Sequence, residues 1–383
     1  MNKYVSRING SYDKLLSVAI AYNERKKLRR FINKNRALYN DYSKEKAMEW
    51  LKRWSVLGKT DRIFYRYYSR FIGDNLGILP DDLMHNVIEP ILNPMRFRGL
   101  YADKNMFDKL LRPYFVEKIT PLTLIRCING GLYDEEYCAV ESDDFISIIQ
   151  SSKASYLAVK PSIDSSSGNN ILFFYKKDDT YYLKDTNTEI SSALLLQKLG
   201  NNFIIQEGLK QSVFMGQFNP TSINTLRIAT YKSVKDEKSI VLNGVLRIGK
   251  KGSSVDNLHA GGFMVGIWPD GELRDFCSDQ YGNKFIEFNG INFDQQKFYI
   301  PNYEEIKDFA RQVAACIPHQ RVLALDIMLD EDNHPKLIEY NNCAFSVWVF
   351  QQTIGTVFGP YTDEVIDYCQ QHRKEATRIY LTY

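Results

Sequence analysis

The segment Leu325-Asp326-Ile327-Met328-Leu329 is followed by Asp330-Glu331-Asp332-Asn333-His334-Pro335 and then by Leu337-Ile338-Glu339-Tyr340-Asn341. Two apolar runs around a polar stretch of turn formers read as a β-hairpin. A two-residue turn at Asp332-Asn333 sets Asp326 opposite Glu339, and the pleat turns Asn341 to the same side as Glu339. Three oxygen-bearing side chains then converge from otherwise apolar strands. A carboxylate in such surroundings is costly unless paired or bound to a cation. Hard oxygen donors without His or Cys suit Mg2+, which keeps waters and shares its shell with phosphates. The plainer reading is a surface hairpin, with one acid in an ion pair and Asn341 as a turn residue.

Around this hairpin lie 383 residues, enough for two or three subdomains. Hydrophobic content of 44% and charged content of 25% are those of an ordinary globular protein. The net charge of +3 hides an asymmetry. Residues 1–70 hold 18 Lys and Arg against 6 Asp and Glu, a balance of +12; the remaining 31 against 40 give −9. Six cysteines at positions 127, 138, 277, 316, 343 and 369 form no CxxC pair, which argues against a zinc site or a disulfide framework. Free thiols, and an early apolar run (Leu15 to Tyr22) too short to span a bilayer, predict a cytoplasmic protein. Peripheral contact at the inner face of a membrane is compatible with both.

Residues 1–95 read as a basic, mainly helical amino-terminal region, with Leu28, Phe31, Ile32 and Leu38 at near-helical spacing. Pro80, Pro90 and Pro94 then break the pattern. From about residue 100, short β-rich runs alternate with turns, at 156–160, 170–175, 181–184, 203–206, 224–232, 240–248, 262–268, 322–329 and 336–341. Helices are expected at 143–152, 191–199, 303–316 and 362–375. Together these predict an α+β body, largely antiparallel in its second half.

Several further segments carry chemistry. Lys160 ends the strand Tyr156-Leu157-Ala158-Val159-Lys160 and precedes a small-residue loop, Ser162 to Asn170. Such a loop can fold over phosphates with its amides exposed, with the lysine as a point charge at its base. A solvated hairpin with a snorkelling lysine is the alternative. The strand Phe203-Ile204-Ile205-Gln206-Glu207-Gly208-Leu209 could offer backbone groups to an adenine edge, or simply end a core strand in a turn. Arg227, inside the apolar strand Thr225-Leu226-Arg227-Ile228-Ala229-Thr230, requires an anionic partner, either a phosphate or a structural carboxylate. At His259-Ala260-Gly261-Gly262 the backbone could approach a ligand.

These pieces, in this order, resemble the ATP-grasp superfamily, and most closely its sugar-transfer-associated branch, similar to amino-acid and glutamate ligases. The residues that carry the resemblance are Ala102-Asp103-Lys104-Asn105, Val159-Lys160-Pro161 with its loop, Ile205-Gln206-Glu207 and Ser222-Ile223-Asn224-Thr225-Leu226-Arg227. To these add Asp256-Asn257-Leu258-His259-Ala260-Gly261-Gly262, Asp326 and Glu339-Tyr340-Asn341. The resemblance spans roughly residues 95–370. It implies an ATP-grasp fold, two α+β subdomains clasping ATP behind a basic helical extension. The divisions expected are 1–95, a linker at 96–155, a small subdomain at 156–210 and a large subdomain at 211–383.

Carried over residue by residue, the resemblance puts Lys104 and Lys160 on the α- and β-phosphates, with Ser165, Ser166, Ser167 and Gly168 closing over the triphosphate. Gln206, Glu207, Gly208 and Leu209 would line the adenine slot, with Asn224 also in the nucleotide-binding set. Asp326, Glu339 and Asn341 would ligate one or two Mg2+, or Mn2+ in its place. Arg227 would face the γ-phosphate and act with Lys160 in catalysis. Arg247, Lys250, His259 and Gly261 are the acceptor-side candidates. The implied reaction is an ADP-producing carboxylate–amine ligation through an acyl phosphate. Its substrates would be an amine and a small-molecule or glycan carboxylate, in cell-surface polysaccharide biosynthesis.

Other readings compete. Leu57-Gly58-Lys59-Thr60 resembles the end of a P-loop, but its first glycine would fall at Arg53. Asp330-Glu331-Asp332 matches the Asp-x-Asp pattern of metal-dependent glycosyltransferases, yet also reads as a hairpin turn. The basic region with interleaved aromatics could serve a non-catalytic binder of nucleotide, anionic lipid or nucleic acid, with nucleic acid the least favoured. A solvated helical cap is the plainest alternative.

Overall fold

The computed structural model describes residues 3–163 and 170–378, with side chains from residue 10 onward. The chain opens with helices α1 (Lys3–Lys34), α2 (Lys44–Ser55) and α3 (Ile63–Ile72). Ser43 caps α2 by accepting from the Lys46 amide, and Gly73, in the left-handed region at φ +78°, ends α3.

A first sheet contains β1 (Thr123–Ile128), β2 (Gly131–Tyr133), β3 (Tyr156–Pro161), β4 (Leu172–Lys177), β5 (Thr180–Leu183) and β6 (Phe203–Glu207), in the order β2-β1-β6-β3-β4-β5. Every pairing in it is antiparallel. Alternation along β3 sorts its residues. Leu157 and Val159 join Phe145, Ile149 and Leu195 from helices Ser142–Ser151 and Ser192–Leu199 in a compact core. Tyr156, Ala158 and Lys160 point the other way.

A second sheet follows, built from β7 (Thr225–Lys232), β8 (Ser239–Ile248), β9 (Phe263–Ile267), β10 (Leu273–Ser278) and β11 (Lys284–Phe285). After the small pair β12 (Glu287–Phe288) and β13 (Ile291–Asn292), it is completed by β14 (Val322–Leu329) and β15 (Pro335–Asn341). Its order is β11-β10-β9-β8-β7-β14-β15, again antiparallel throughout. One face, with Leu226, Ile228, Leu323 and Leu325, packs on helix Tyr303–Ala315. The other face is divided. Ala229, Tyr231, Val245, Val322 and Ala324 form one core with Trp50, Trp54, Tyr65 and Tyr67 of the amino-terminal helices. Helix Val347–Gln351 touches both β8 and α3, and Gln351 exchanges hydrogen bonds with the Leu79 backbone at 2.7 and 3.0 Å. Two residues further along each strand, that same face becomes charged.

The antiparallel α+β body agrees with the sequence reading. Strands β1, β2 and β10 were not anticipated: β1 and β2 fall in the presumed linker, and β10 interrupts its apolar pattern with Arg274 and Asp275. The hairpin differs in detail. Its loop is three residues, Glu331-Asp332-Asn333, closed by Asp330 N–H donating to the His334 carbonyl at 3.0 Å, with Asn333 left-handed at φ +66°. The pairing that follows sets Leu329 opposite Pro335 and Ile327 opposite Leu337. Ile338 is then an extra residue, and the bulge restores Asp326 to its place opposite Glu339. The expected cross-strand pair is present, reached by a longer loop and a compensating bulge.

Candidate active site

A cavity of about 820 Å3 lies between the two sheets. Its first wall is the open face of the small sheet. Tyr156, Phe173 and Tyr175 line it, with Ile171, Ala158 and Leu209, so this end is apolar and flat-sided. Tyr156 stacks on Tyr175 with ring centres 5.6 Å apart and donates its hydroxyl to the Leu209 carbonyl at 2.8 Å. Gly208 lies against the Tyr156 ring: a Cβ there would be 2.4 Å from it, so the close approach requires glycine. Gln206 and Glu207 line the same end. Gln206 donates to the Thr123 hydroxyl at 3.3 Å, and Glu207 accepts from Ser152 at 2.5 Å.

The opposite end is charged. Lys160, at the end of β3, is buried and lies near Lys104, which follows Asp103 in a short helical turn capped by that aspartate. Burial first, and the neighbouring Lys104 charge second, bring the Lys160 ammonium down to about 8, against the opposing pull of Glu339. Lys104 Nζ is 3.4 Å from Glu339 Oε2. Two lysines converging beside one carboxylate leave positive charge uncompensated, which makes a site for an anion.

Register explains the next layer. Thr225 and Arg227 on β7, Arg247 on β8 and Asp326 on β14 share one face, because Thr225 pairs with Arg247 and Arg227 with Asp326. Arg227 Nε and Nη2 donate to Asp326 Oδ1 and Oδ2 at 2.8 and 2.7 Å. Arg247 donates to Asp326 Oδ2 at 3.1 Å and, through its other amino group, to Asp256 Oδ1 at 3.0 Å. Thr225 closes the row by donating to Asp256. Burial alone would raise Asp326, but the two guanidiniums outweigh it and hold the carboxyl down at about 2. Asp256 has one guanidinium, and there burial wins, so its carboxyl is raised.

Each candidate from the sequence now has a place. Lys104, Lys160, Gln206, Glu207, Gly208, Leu209, Arg247, Asp326 and Glu339 all line the cavity. Arg227 does not: its partner is the structural carboxylate Asp326, and Arg247 is the guanidinium on the cavity wall. Asn224 is also behind the wall, donating to Gln211, Met215 and Asn219 and accepting from the Gly249 amide. His259 is exposed and contacts Gln280 at 2.6 Å, and Gly261, left-handed at φ +89°, and Lys250 also lie off the cavity. Ser165, Ser166, Ser167 and Gly168 lie outside the described residues. Sequence reasoning missed the aromatic wall, although Phe173 and Tyr175 alternate on β4. It also missed Asp256 as a wall residue. Asp330 accepts from the amides of Asp332 and His334, which makes Asp330-Glu331-Asp332 a turn.

The sequence profile of the sugar-transfer associated ATP-grasp family matches residues 84–365. The chain belongs to that family. Among solved structures, D-cycloserine synthetase DcsG is similar at 12% identity and a TM-score of 0.38, over 74% of this chain and 73% of that one. ATP-grasp ligase PsnB, solved with Mg and ADP, is 12% identical with a TM-score of 0.38, over 72% of this chain and 62% of its own. The D-alanine-D-alanine ligase from Coxiella burnetii is 9% identical with a TM-score of 0.38, over 72% and 59%. This chain thus spans less than two thirds of the latter two. Comparison with curated protein sequences gave no match. Family membership bears out the expected ATP-grasp fold and an ATP-grasp ligase as the kind of enzyme.

ATP-grasp enzymes pair their nucleotide with Mg2+, and the residues here can be tested against that ion. Among the described residues, no three His, Cys, Asp or Glu side chains cluster closely enough to hold a metal by themselves. An ion here needs Asn341 and phosphate oxygens as well. The Asn341 amide nitrogen donates to the Ala324 carbonyl at 3.3 Å and to Asp326 Oδ2 at 3.5 Å, which leaves its side-chain oxygen as the atom that could ligate. Glu339 is partly exposed and pairs with Lys104, whereas Asp326 already accepts from two guanidiniums. One or two carboxylates plus phosphates are the usual Mg2+ shell, so the set fits with Glu339 as its principal donor.

Proposed function

We propose that this ATP-grasp enzyme joins a carboxylate to an amine by way of an acyl phosphate, acting on a sugar acid or glycan precursor. The observation that carries the reading is the polarity of one cavity: a flat aromatic slot at one end, and Lys104, Lys160 and Glu339 at the other. A flat base at one end and a polyanion at the other, as in a nucleoside triphosphate, would complement it. An adenine would sit against Tyr156 and Phe173, within reach of the backbone from Glu207 to Leu209. The lysines would take the phosphates.

The substrate carboxylate attacks the γ-phosphorus, the bond to the β-bridging oxygen breaks, and ADP leaves. An amine then attacks the acyl carbon, loses a proton, and releases inorganic phosphate. Neither step needs a protein nucleophile, so the chain's task is to position reactants and neutralise charge. Lys160 and Lys104 fix the triphosphate, and Arg247, braced by Asp326 and Asp256, faces the space beyond it. When bound at Glu339, Asn341 and Asp326, Mg2+ would offset charge on the phosphate oxygens. The glycan link is favoured by the association after which the family is called, and the acceptor end, with Thr221, Ser254 and Asn257 on its wall, suits a hydroxylated substrate.

Thermal unfolding with Mg-ATP tests the reading. A ligand at a hundred times its Kd stabilises by about 2.7 kcal/mol. Wild type should be protected by Mg-ATP and not by UDP-sugars, and Glu339→Gln should lose the protection. Protection by a UDP-sugar alone would sink the proposal. ADP release with uronic acids and amines would then identify the substrates.

A further inference from the structure

Helix α1 is amphipathic the wrong way round in its first half. The side facing the protein carries Asp13, Ser17 and Glu24, with Ile20 half-buried among them: Asp13 accepts from the Arg378 amide at 3.0 Å, and the Ser17 carbonyl accepts from Asn86 at 3.0 Å. The side facing away carries Tyr12, Leu15, Val18 and Tyr22, which are 59, 67, 62 and 57% exposed, with Leu16 beside them. From Leu28 and Ile32 onward the helix turns large apolar residues fully into the core. Four large side chains at three- and four-residue spacing make a continuous stripe, about 15 Å long by helical rise. Isolated exposed apolar residues need no account, but an ordered stripe over a polar inner face does.

The surrounding charge narrows the choice of cover. Residues 1–34 hold nine Lys and Arg against two Asp and Glu, a balance of +7. Lys14, Lys26, Arg29, Arg30 and Lys34 are exposed, and Lys26 lies 5.4 Å over the Tyr22 ring, on the line of the stripe. A second copy of so basic a helix would be repelled. An anionic bilayer surface is not: apolar side chains enter the acyl boundary, tyrosines sit at headgroup level, and lysines and arginines reach the phosphates. No helix of the described residues is long and apolar enough to cross a membrane, so the contact lies on the surface.

We infer that the Tyr12–Tyr22 face of α1 docks the protein on anionic lipid. Co-sedimentation of the full-length chain with phosphatidylcholine vesicles, with and without phosphatidylglycerol, tests this. Binding should be at least tenfold stronger to the anionic vesicles and weaken at high salt. Leu15→Glu with Val18→Glu should remove it while leaving the melting temperature unchanged, because both side chains are exposed. Absence of binding, or binding indifferent to that double variant, overturns the inference. So does a dimer that the double variant converts to monomer. The outcome is independent of the nucleotide site.

Discussion

Arg227 and Asp326 face each other across the β7–β14 pairing, joined by two parallel hydrogen bonds of 2.7 and 2.8 Å. The pair is buried, and Arg247 adds a third donor to the same carboxylate. Removing the charge from such a pair leaves Arg227 without its counter-ion and Arg247 with Asp256 alone.

Asp326→Asn should therefore cost about 3–5 kcal/mol of folding stability. Glu339→Gln should cost less than about 1 kcal/mol, because its one ion pair is partly exposed. Denaturant unfolding of both variants without ligand checks the contrast. Equal losses would mean that Asp326 is not the structural member of the pair.

Lys160 has a pH signature. Its ammonium is lowered to about 8, so between there and its unfolded value the native state binds fewer protons than the unfolded state. Its burial penalty is thus complete below about pH 8 and fades as pH rises above it. Binding of a triphosphate should reverse the shift. At pH 8, ATP binding should take up about half a proton, and at pH 6 almost none. Calorimetry in buffers of different ionisation enthalpy measures this, and no uptake at pH 8 would remove Lys160 from the phosphates.

Gly208→Ala should displace the Tyr156 ring, since the added carbon would lie 2.4 Å from it. Overpacking of this kind costs about 1–3 kcal/mol. The damage should fall on nucleotide affinity as well as stability, because the ring is a wall of the cavity. A stability loss in the double variant Gly208→Ala with Tyr156→Ala smaller than the sum of the two single losses would locate the fault in that contact.

Asp81 is fully buried, accepts from the Tyr68 hydroxyl at 2.9 Å, and is raised to about 7, chiefly by burial and then by Glu24. Here the native state holds a proton that the unfolded state has lost. Stability should fall as pH rises from about 4 to 7 and stay lowered above it. Asp81→Asn should therefore stabilise by about 1–3 kcal/mol at pH 8 and much less at pH 5. Melting temperatures at the two pH values decide.

Much of this was legible in the residues. Asp326 and Glu339 are opposite each other as expected, because hydrophobic alternation admits only one face for each strand. The loop length was misjudged by one residue, and the bulge at Ile338 cancelled the error. Bulges have no sequence signature strong enough to forecast one there. An arginine inside an apolar strand needs an anion, and Arg227 has one in Asp326. Which anion depended on the alignment of β7 with β14, strands about ninety residues apart, and no local pattern reports that. Likewise Asp256 meets Arg247 only through folding of the intervening loop.

The shared face of the second sheet has one more consequence. Residues 84–365 bear the family's sequence, yet Trp50, Trp54, Tyr65 and Tyr67, all upstream, complete the core over Ala229, Tyr231 and Ala324, one pleat away from Arg227 and Asp326. An expression clone trimmed to the recognisable part would lay those residues bare and tend to precipitate. Inheritance meets the same obstacle: a gene fusion that borrowed only the familiar portion would acquire a half-covered sheet. The least familiar fifth of the chain is its permanent escort.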